Sequence, residues 1–153
     1  METLEQKKRR LLGKKYLRSY LEELSRLLNR NVKGDELLSI EDTDAFIRET
    51  ASLKNGIYYK KTIKFEDKVY LKNILEKNVS DFDKPYFMYL SYSLDCGLMK
   101  FSSLRDFNLN FNFYDEHVGL IEFIRSDEME EILLDYYEEN GEKLIDIEIF
   151  KKN

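Results

Sequence analysis

The last third of the chain, from His117 to Phe150, restricts the fold more than any other stretch. Val118 to Arg125 is dense in β-branched and aromatic residues without clean alternation, as in a strand buried on both faces. Ser126 and Asp127 interrupt it and can cap a helix. Met129, Ile132, Leu133, Tyr136 and Tyr137 then share one stripe at helical spacing. Residues 127–139 are therefore expected as an amphipathic helix ending at Asn140-Gly141. Leu144 to Phe150 follows as a strand, with Ile145, Ile147 and Ile149 on one face. Strand, helix and strand in that order allow one βαβ crossover, right-handed if the two strands run parallel in one sheet.

Upstream, Thr3 to Leu28 reads as a helix. Leu17, Tyr20, Leu21, Leu24, Leu27 and Leu28 form its apolar stripe, and Arg18, Glu22 and Arg26 support one another on the far side. Gly13 is a weak point, costing about 1 kcal/mol against alanine. The basic run Lys7 to Arg10 before it lacks a good stripe, so residues 1–13 are expected as a mobile or peripheral arm. A second helix, capped by Asp42 or Thr43, carries Ala45, Phe46 and Ile47 and stops at Asn55-Gly56. Ile57 to Phe65 reads as a strand and Glu66 to Lys77 as a third helix. Tyr86 to Tyr92 is a strong strand opened by Pro85, and Leu98 to Phe101 pairs back on it across the turn at Asp95-Cys96-Gly97. A short helix follows Ser102 or Ser103, and residues 108–116 form a strand or an ordered loop. The expectation is an α+β fold in a single domain spanning 1–153. N-terminal helices precede a small mixed or antiparallel sheet of about four strands with interspersed helices.

With 42% hydrophobic residues the chain can bury a core, and no window approaches the roughly 18 apolar residues of a membrane span. Cys96 is the only cysteine, which excludes an internal disulfide and fits a reducing compartment; a cytoplasmic location is expected. One histidine and one cysteine exclude an ordinary zinc site. The six glycines are scattered singly, so no phosphate loop forms, and no cofactor is expected. Cys96 and His117 could pair as nucleophile and base only if the fold brought them together. The plainer reading makes Cys96 a small buried residue in a turn and His117 a polar residue opening a strand. Thirty carboxylates always offer acid–base pairs, so such pairs carry no signal, and the chain is not expected to be an enzyme.

Charge is the informative property. The net charge of −5 is unevenly spread: residues 1–30 hold nine basic and four acidic side chains, and residues 115–153 hold four basic and thirteen acidic. On the expected C-terminal helix, Asp127, Glu128, Glu131, Asp135, Glu138 and Glu139 fall opposite the apolar stripe, with no lysine or arginine among them. Like-charged neighbours cost about 0.2–0.5 kcal/mol per pair, and Glu138 and Glu139 lie at the unfavourable end of the helix dipole. The face is either a solvated surface or a docking site for a basic partner, standing in for phosphates in the cleft of a nuclease. The basic stretch Lys7 to Arg18 is the counter-candidate, as a solvated helix face or as a contact for nucleic-acid phosphates.

The C-terminal half also carries an ordered set of landmarks. A Tyr/Phe strand leads to Asp95-Cys96-Gly97, then Ser102-Ser103-Leu104, then Gly119-Leu120-Ile121 running to Ser126-Asp127. The run Leu133 to Glu139, Asn140-Gly141 and an Ile/Glu-alternating strand complete it. This order resembles small cytoplasmic immunity proteins of polymorphic-toxin loci in Gram-positive bacteria, among them those near cell-wall-associated Rhs-type and contact-dependent toxins. The resemblance covers residues 85–150 and rests on structural motifs, and the ending Phe150-Lys151-Lys152 lacks the glycine and tryptophan of some relatives. It implies a non-enzymatic antitoxin that binds its cognate toxin domain tightly, a nuclease being one candidate, and it implies no catalytic residue. The alternative expectation is a nucleic-acid-associated or regulatory adaptor that uses the basic N-terminal helix.

Overall fold

The computed structural model describes residues 1–116 and 118–152; His117, weighed above as a strand opener and as a base for Cys96, lies outside the described residues. The fold is α+β, and its sheet has six antiparallel strands in the order β1-β6-β5-β4-β2-β3 rather than about four. The strands are β1 (Ile57–Lys64), β2 (Tyr86–Tyr89), β3 (Met99–Phe101), β4 (Leu120–Arg125), β5 (Glu130–Glu139) and β6 (Glu142–Lys151). The helices are α1 (Leu4–Leu28), α2 (Ile40–Thr50), α3 (Leu71–Asn78) and a single turn, α4 (Ser93–Cys96). Among the described residues no helix is long and apolar enough to cross a membrane.

The expected helix over 127–139 does not form; its residues turn and then build β5, so no βαβ crossover exists. Two readings of one stretch competed here. Met129, Ile132, Leu133, Tyr136 and Tyr137 satisfy a 3.6 period, but Ile132, Leu134 and Tyr136 satisfy a period of two, and those three are the buried ones. The tie is broken by Asn140-Gly141. Both residues have positive φ, 52° and 81°, as the two central positions of a type I′ hairpin turn require. β5 and β6 then pair over their full length, from Glu130 opposite Lys151 to Glu139 opposite Glu142. At the other end, Arg125 turns into β5 through Glu128, which also takes a positive φ of 64°.

α1 covers one face of the sheet. Tyr20, Leu24 and Leu27 are fully buried against Met88, Phe123, Ile132, Leu134, Ile145, Ile147 and Ile149. The helix starts with a reciprocal capping box, in which Thr3 Oγ1 accepts from the Gln6 N–H and Gln6 Oε1 accepts from the Thr3 N–H. It ends at Asn29, in the left-handed conformation. Residues 4–12, expected as an arm, continue this helix. They are held by Arg9, whose guanidinium donates to both oxygens of Asp44 at 2.9 and 2.7 Å.

α2 covers part of the opposite face. Ser39, not Asp42 or Thr43, caps it, and Thr43 Oγ1 instead accepts from the buried Leu98 N–H at 3.1 Å. Phe46 stacks on Phe87 with ring centroids 4.5 Å apart, and Leu53, Leu98 and Ile124 complete this second cluster. The cover reaches β2 and β4, and beyond it, among the described residues, the outer face of β5, β6 and β1 carries no large buried hydrophobic cluster.

Candidate protein-binding face

Because the segment is a strand, Glu131, Asp135 and Glu139 take one face, Glu138 takes the other, and Asp127 and Glu128 fall in the preceding turn. Asp127 lies in the β4–β5 turn. Burial would raise its carboxyl, but Arg125 at 2.7 Å and the Met129 N–H at 3.2 Å outweigh that and hold it below the usual range. Glu128 faces Glu49, and a shared hydrogen bond pushes its carboxyl up. Glu138 and Glu139 are exposed at the hairpin end. Glu131 is buried, with its carboxyl pushed up to about 7 by burial. Glu131, Asp135 and Glu139 share the outer face of β5, but the turn carrying Lys54 covers Glu131 and Glu139 sits at the hairpin end, so the structure does not bring the expected set together.

Lys54, in the 3-10 turn after α2, spans two of the buried acids. Its Nζ is 3.0 Å from Glu122 Oε1 and 3.6 Å from Glu131 Oε1. Replacing Lys54 by methionine leaves two carboxylates facing one another under cover. At pH 8 the variant should lose about 1–2 kcal/mol, a figure discounted because the lysine is half exposed. The folded carboxyl of Glu131 is raised, so it takes up a proton as pH falls through about 7, and the deficit should shrink toward pH 5. Urea denaturation at both pH values checks this.

A different acidic set assembles on the outer face. Asp135 of β5 stands directly opposite Asp146 of β6, and Leu133 stands opposite Glu148. Like charges directly opposite one another cost about 0.2–1 kcal/mol in a sheet. Asp146 is partly compensated, since Oδ1 accepts from Thr62 Oγ1 at 2.6 Å and from the Tyr137 hydroxyl at 3.1 Å. Glu148 lies 3.3 Å from Lys60 Nζ. Asp135 has no cation among the described residues. Its carboxyl is pushed up first by burial, then by Asp146 and Glu148. Leu133, Tyr137 and Leu144 are half-buried on the same face and give it an apolar centre. Sequence reasoning missed Asp146 and Glu148. Their signal was available in the alternation with Ile145, Ile147 and Ile149, which puts them on the face those isoleucines do not use.

A scan against protein-family models, a search of curated proteins and a search of solved structures each found no match. The chemistry of the faces therefore carries the reading.

Two further groups bear on it. Cys96 donates its thiol to the Gly13 carbonyl at 3.4 Å, and burial pushes that thiol up to about 11, which makes it a poor nucleophile at neutral pH. In the basic stretch, Arg9 is held by Asp44, Arg10 by Glu2 at 2.8 Å and Arg18 by Glu22 at 3.3 Å. Arg9 and Arg10 are thereby tied within the fold, while Arg18, in an exposed pair, and the lysines stay open to an outside phosphate, which leaves a thinner nucleic-acid contact than the sequence suggests.

Proposed function

We propose that this chain is a non-enzymatic immunity protein that binds and neutralises a cognate toxin domain in the cytoplasm, using the acidic outer face of β5 and β6. One observation carries the reading: Asp135 and Asp146 are held directly opposite each other, and Asp135 has no cation among the described residues. A fold that tolerates this cost gains most when a lysine or arginine from outside fills the site. Tyr137, Leu133 and Leu144 supply the apolar centre that a protein interface uses, and the charges around them steer a basic partner such as the cleft of a nuclease.

The experiment uses the C-terminal domain encoded by the reading frame directly upstream. Wild-type protein should bind it tightly, with an association rate that falls steeply with salt. The Asp135→Lys/Asp146→Lys variant should bind about 100-fold more weakly at 0.1 M salt, about 2.7 kcal/mol across two central charges. Unchanged affinity of that variant would refute the face, and absence of wild-type binding would refute the immunity reading.

A further inference from the structure

The two ends of the sheet are finished differently. At one end β3 is only three residues long, and the chain covers it: Leu37 bridges to Met99 and the Leu38 N–H donates to the Leu98 carbonyl at 2.9 Å. At the other end β1 runs eight residues and pairs on one side only, with β6. Among the described residues no backbone hydrogen bond joins 58–63 to any other element. Backbone groups in a strand point alternately to its two sides, so half of those on β1 face outward unpaired.

The open edge looks into a groove of about 700 Å³ between β1 and α3. Tyr59 and Ile63 of β1 line it from the sheet side, and Tyr70 and Ile74 line it from the helical side. On the opposite, outer face of β1, register places Lys60, Thr62 and Lys64 beside Glu148, Asp146 and Leu144. The strand holds Lys60, Lys61 and Lys64 and no acid. Lys60 reaches Glu148 through a solvent-exposed pair, which is weak, and Lys61 and Lys64 have no ion-pair partner among the described residues. Lysines on an edge strand repel a second copy of the same strand. Those same lysines match an incoming strand that carries acids.

We propose that β1 accepts a seventh strand: an extended, acidic segment of a partner protein. Its main chain pairs with the free edge, its apolar residues enter the groove over Tyr59 and Ile63, and its alternate acidic residues lie beside Lys60 and Lys64. Main-chain pairing supplies the affinity and side-chain alternation the selectivity. The edge adjoins the acidic face, with Lys60 and Thr62 beside Glu148 and Asp146, but it binds through the free main chain of β1 and takes a partner of opposite charge, so it stands whether or not that face binds a toxin.

The probe is a blocked peptide of alternating valine and glutamate, matched in length to β1, titrated at low salt into the isotopically labelled full chain. Amide shifts and slowed amide exchange should appear at residues 58–63. Methylating every second peptide nitrogen on the pairing side should weaken binding at least tenfold, as should exchanging glutamate for lysine. Lys60→Gln/Lys64→Gln should weaken it about threefold to tenfold, whereas Asp135→Asn, on the acidic face, should leave it unchanged. Absence of shifts, shifts on another surface, equal binding of the lysine peptide or indifference to N-methylation would overturn the proposal. Self-association of the chain through β1 would overturn it as well, because it would show that the lysines do not bar a second copy.

Discussion

A Gly13→Ala variant should unfold about 2 kcal/mol more readily than the wild type, the reverse of the gain expected from the same change in an exposed helix. In solvent, alanine gains about 1 kcal/mol over glycine in mid-helix. Here the backbone of α1 presses on α4. A Cβ at position 13 would collide with the Asp95 carbonyl oxygen, lie 2.8 Å from the Asp95 carbonyl carbon and reach 3.4 Å from Cys96 Sγ. The obstacle is main chain and cannot rotate away. It is also fastened from several sides. The Gly97 N–H donates to the Ser93 carbonyl at 2.8 Å, the Tyr20 hydroxyl donates to the Gly97 carbonyl at 2.6 Å, and Arg9 donates twice to the Leu94 carbonyl. Overpacking of this kind typically costs about 1–3 kcal/mol and, against a fixed carbonyl, falls at the upper end. The propensity gain offsets only part of it. For a chain of this size the midpoint of thermal unfolding should fall by about 4–8 °C, read by calorimetry. A variant more stable than the wild type would mean that α1 and α4 do not touch at this point.

Gly13 shows where sequence reasoning succeeded and where it stopped. The glycine was visible as an anomaly in a helix, and the helix itself was legible from Thr3 to Leu28, because a stripe at 3.6 spacing needs no tertiary information. The purpose of the glycine was not legible, since Asp95 is remote in sequence and only the packed structure brings it there. β1, β2, β3, β4 and β6 were legible for a similar local reason: β-branched and aromatic runs bounded by turns. β5 was not. Its glutamates favour helix, its apolar positions fit either period, and Asn140-Gly141 can close a helix or a hairpin. The partner strand decides, and pairing with β4 and β6 is a long-range property. The error propagated to the candidate site. A helix would have gathered Asp127, Glu131, Asp135 and Glu138 on one side. A strand sends Glu138 to the other face, leaves Asp127 in a turn and keeps Glu131 and Asp135 on one face; the turn carrying Lys54 then covers Glu131, which moves the open acidic surface to Asp135, Asp146 and Glu148.

Glu23→Gln should stabilise the protein by about 2–3 kcal/mol at pH 7.5 and leave it unchanged near pH 4.5. Glu23 of α1 is buried against Glu116, in the loop before β4, and Glu23 Oε2 and Glu116 Oε2 have no hydrogen-bond donor among the described residues when both groups are charged. One proton between the carboxyls relieves both oxygens. Burial, followed by the Glu116 charge and the hydrogen bond to it, raises Glu23 to about 8, against a smaller opposing pull from Arg26. The sign follows from proton counts. Between the ordinary carboxylate range and about 8, the unfolded chain has released this proton and the folded chain still holds it. Stability therefore falls as pH rises through that window, by at most about 1.4 kcal/mol per pH unit, and the whole penalty is present above it. Glutamine keeps the shape, donates permanently to Glu116 and has no proton to lose, so the variant should show a flatter stability profile across the window. Equilibrium urea unfolding of both proteins from pH 4.5 to 8.5 measures the difference directly. A Glu23→Gln protein that is less stable than the wild type at every pH would show that Glu23 is ionised in the fold and held by Arg26, with no proton shared between the carboxyls.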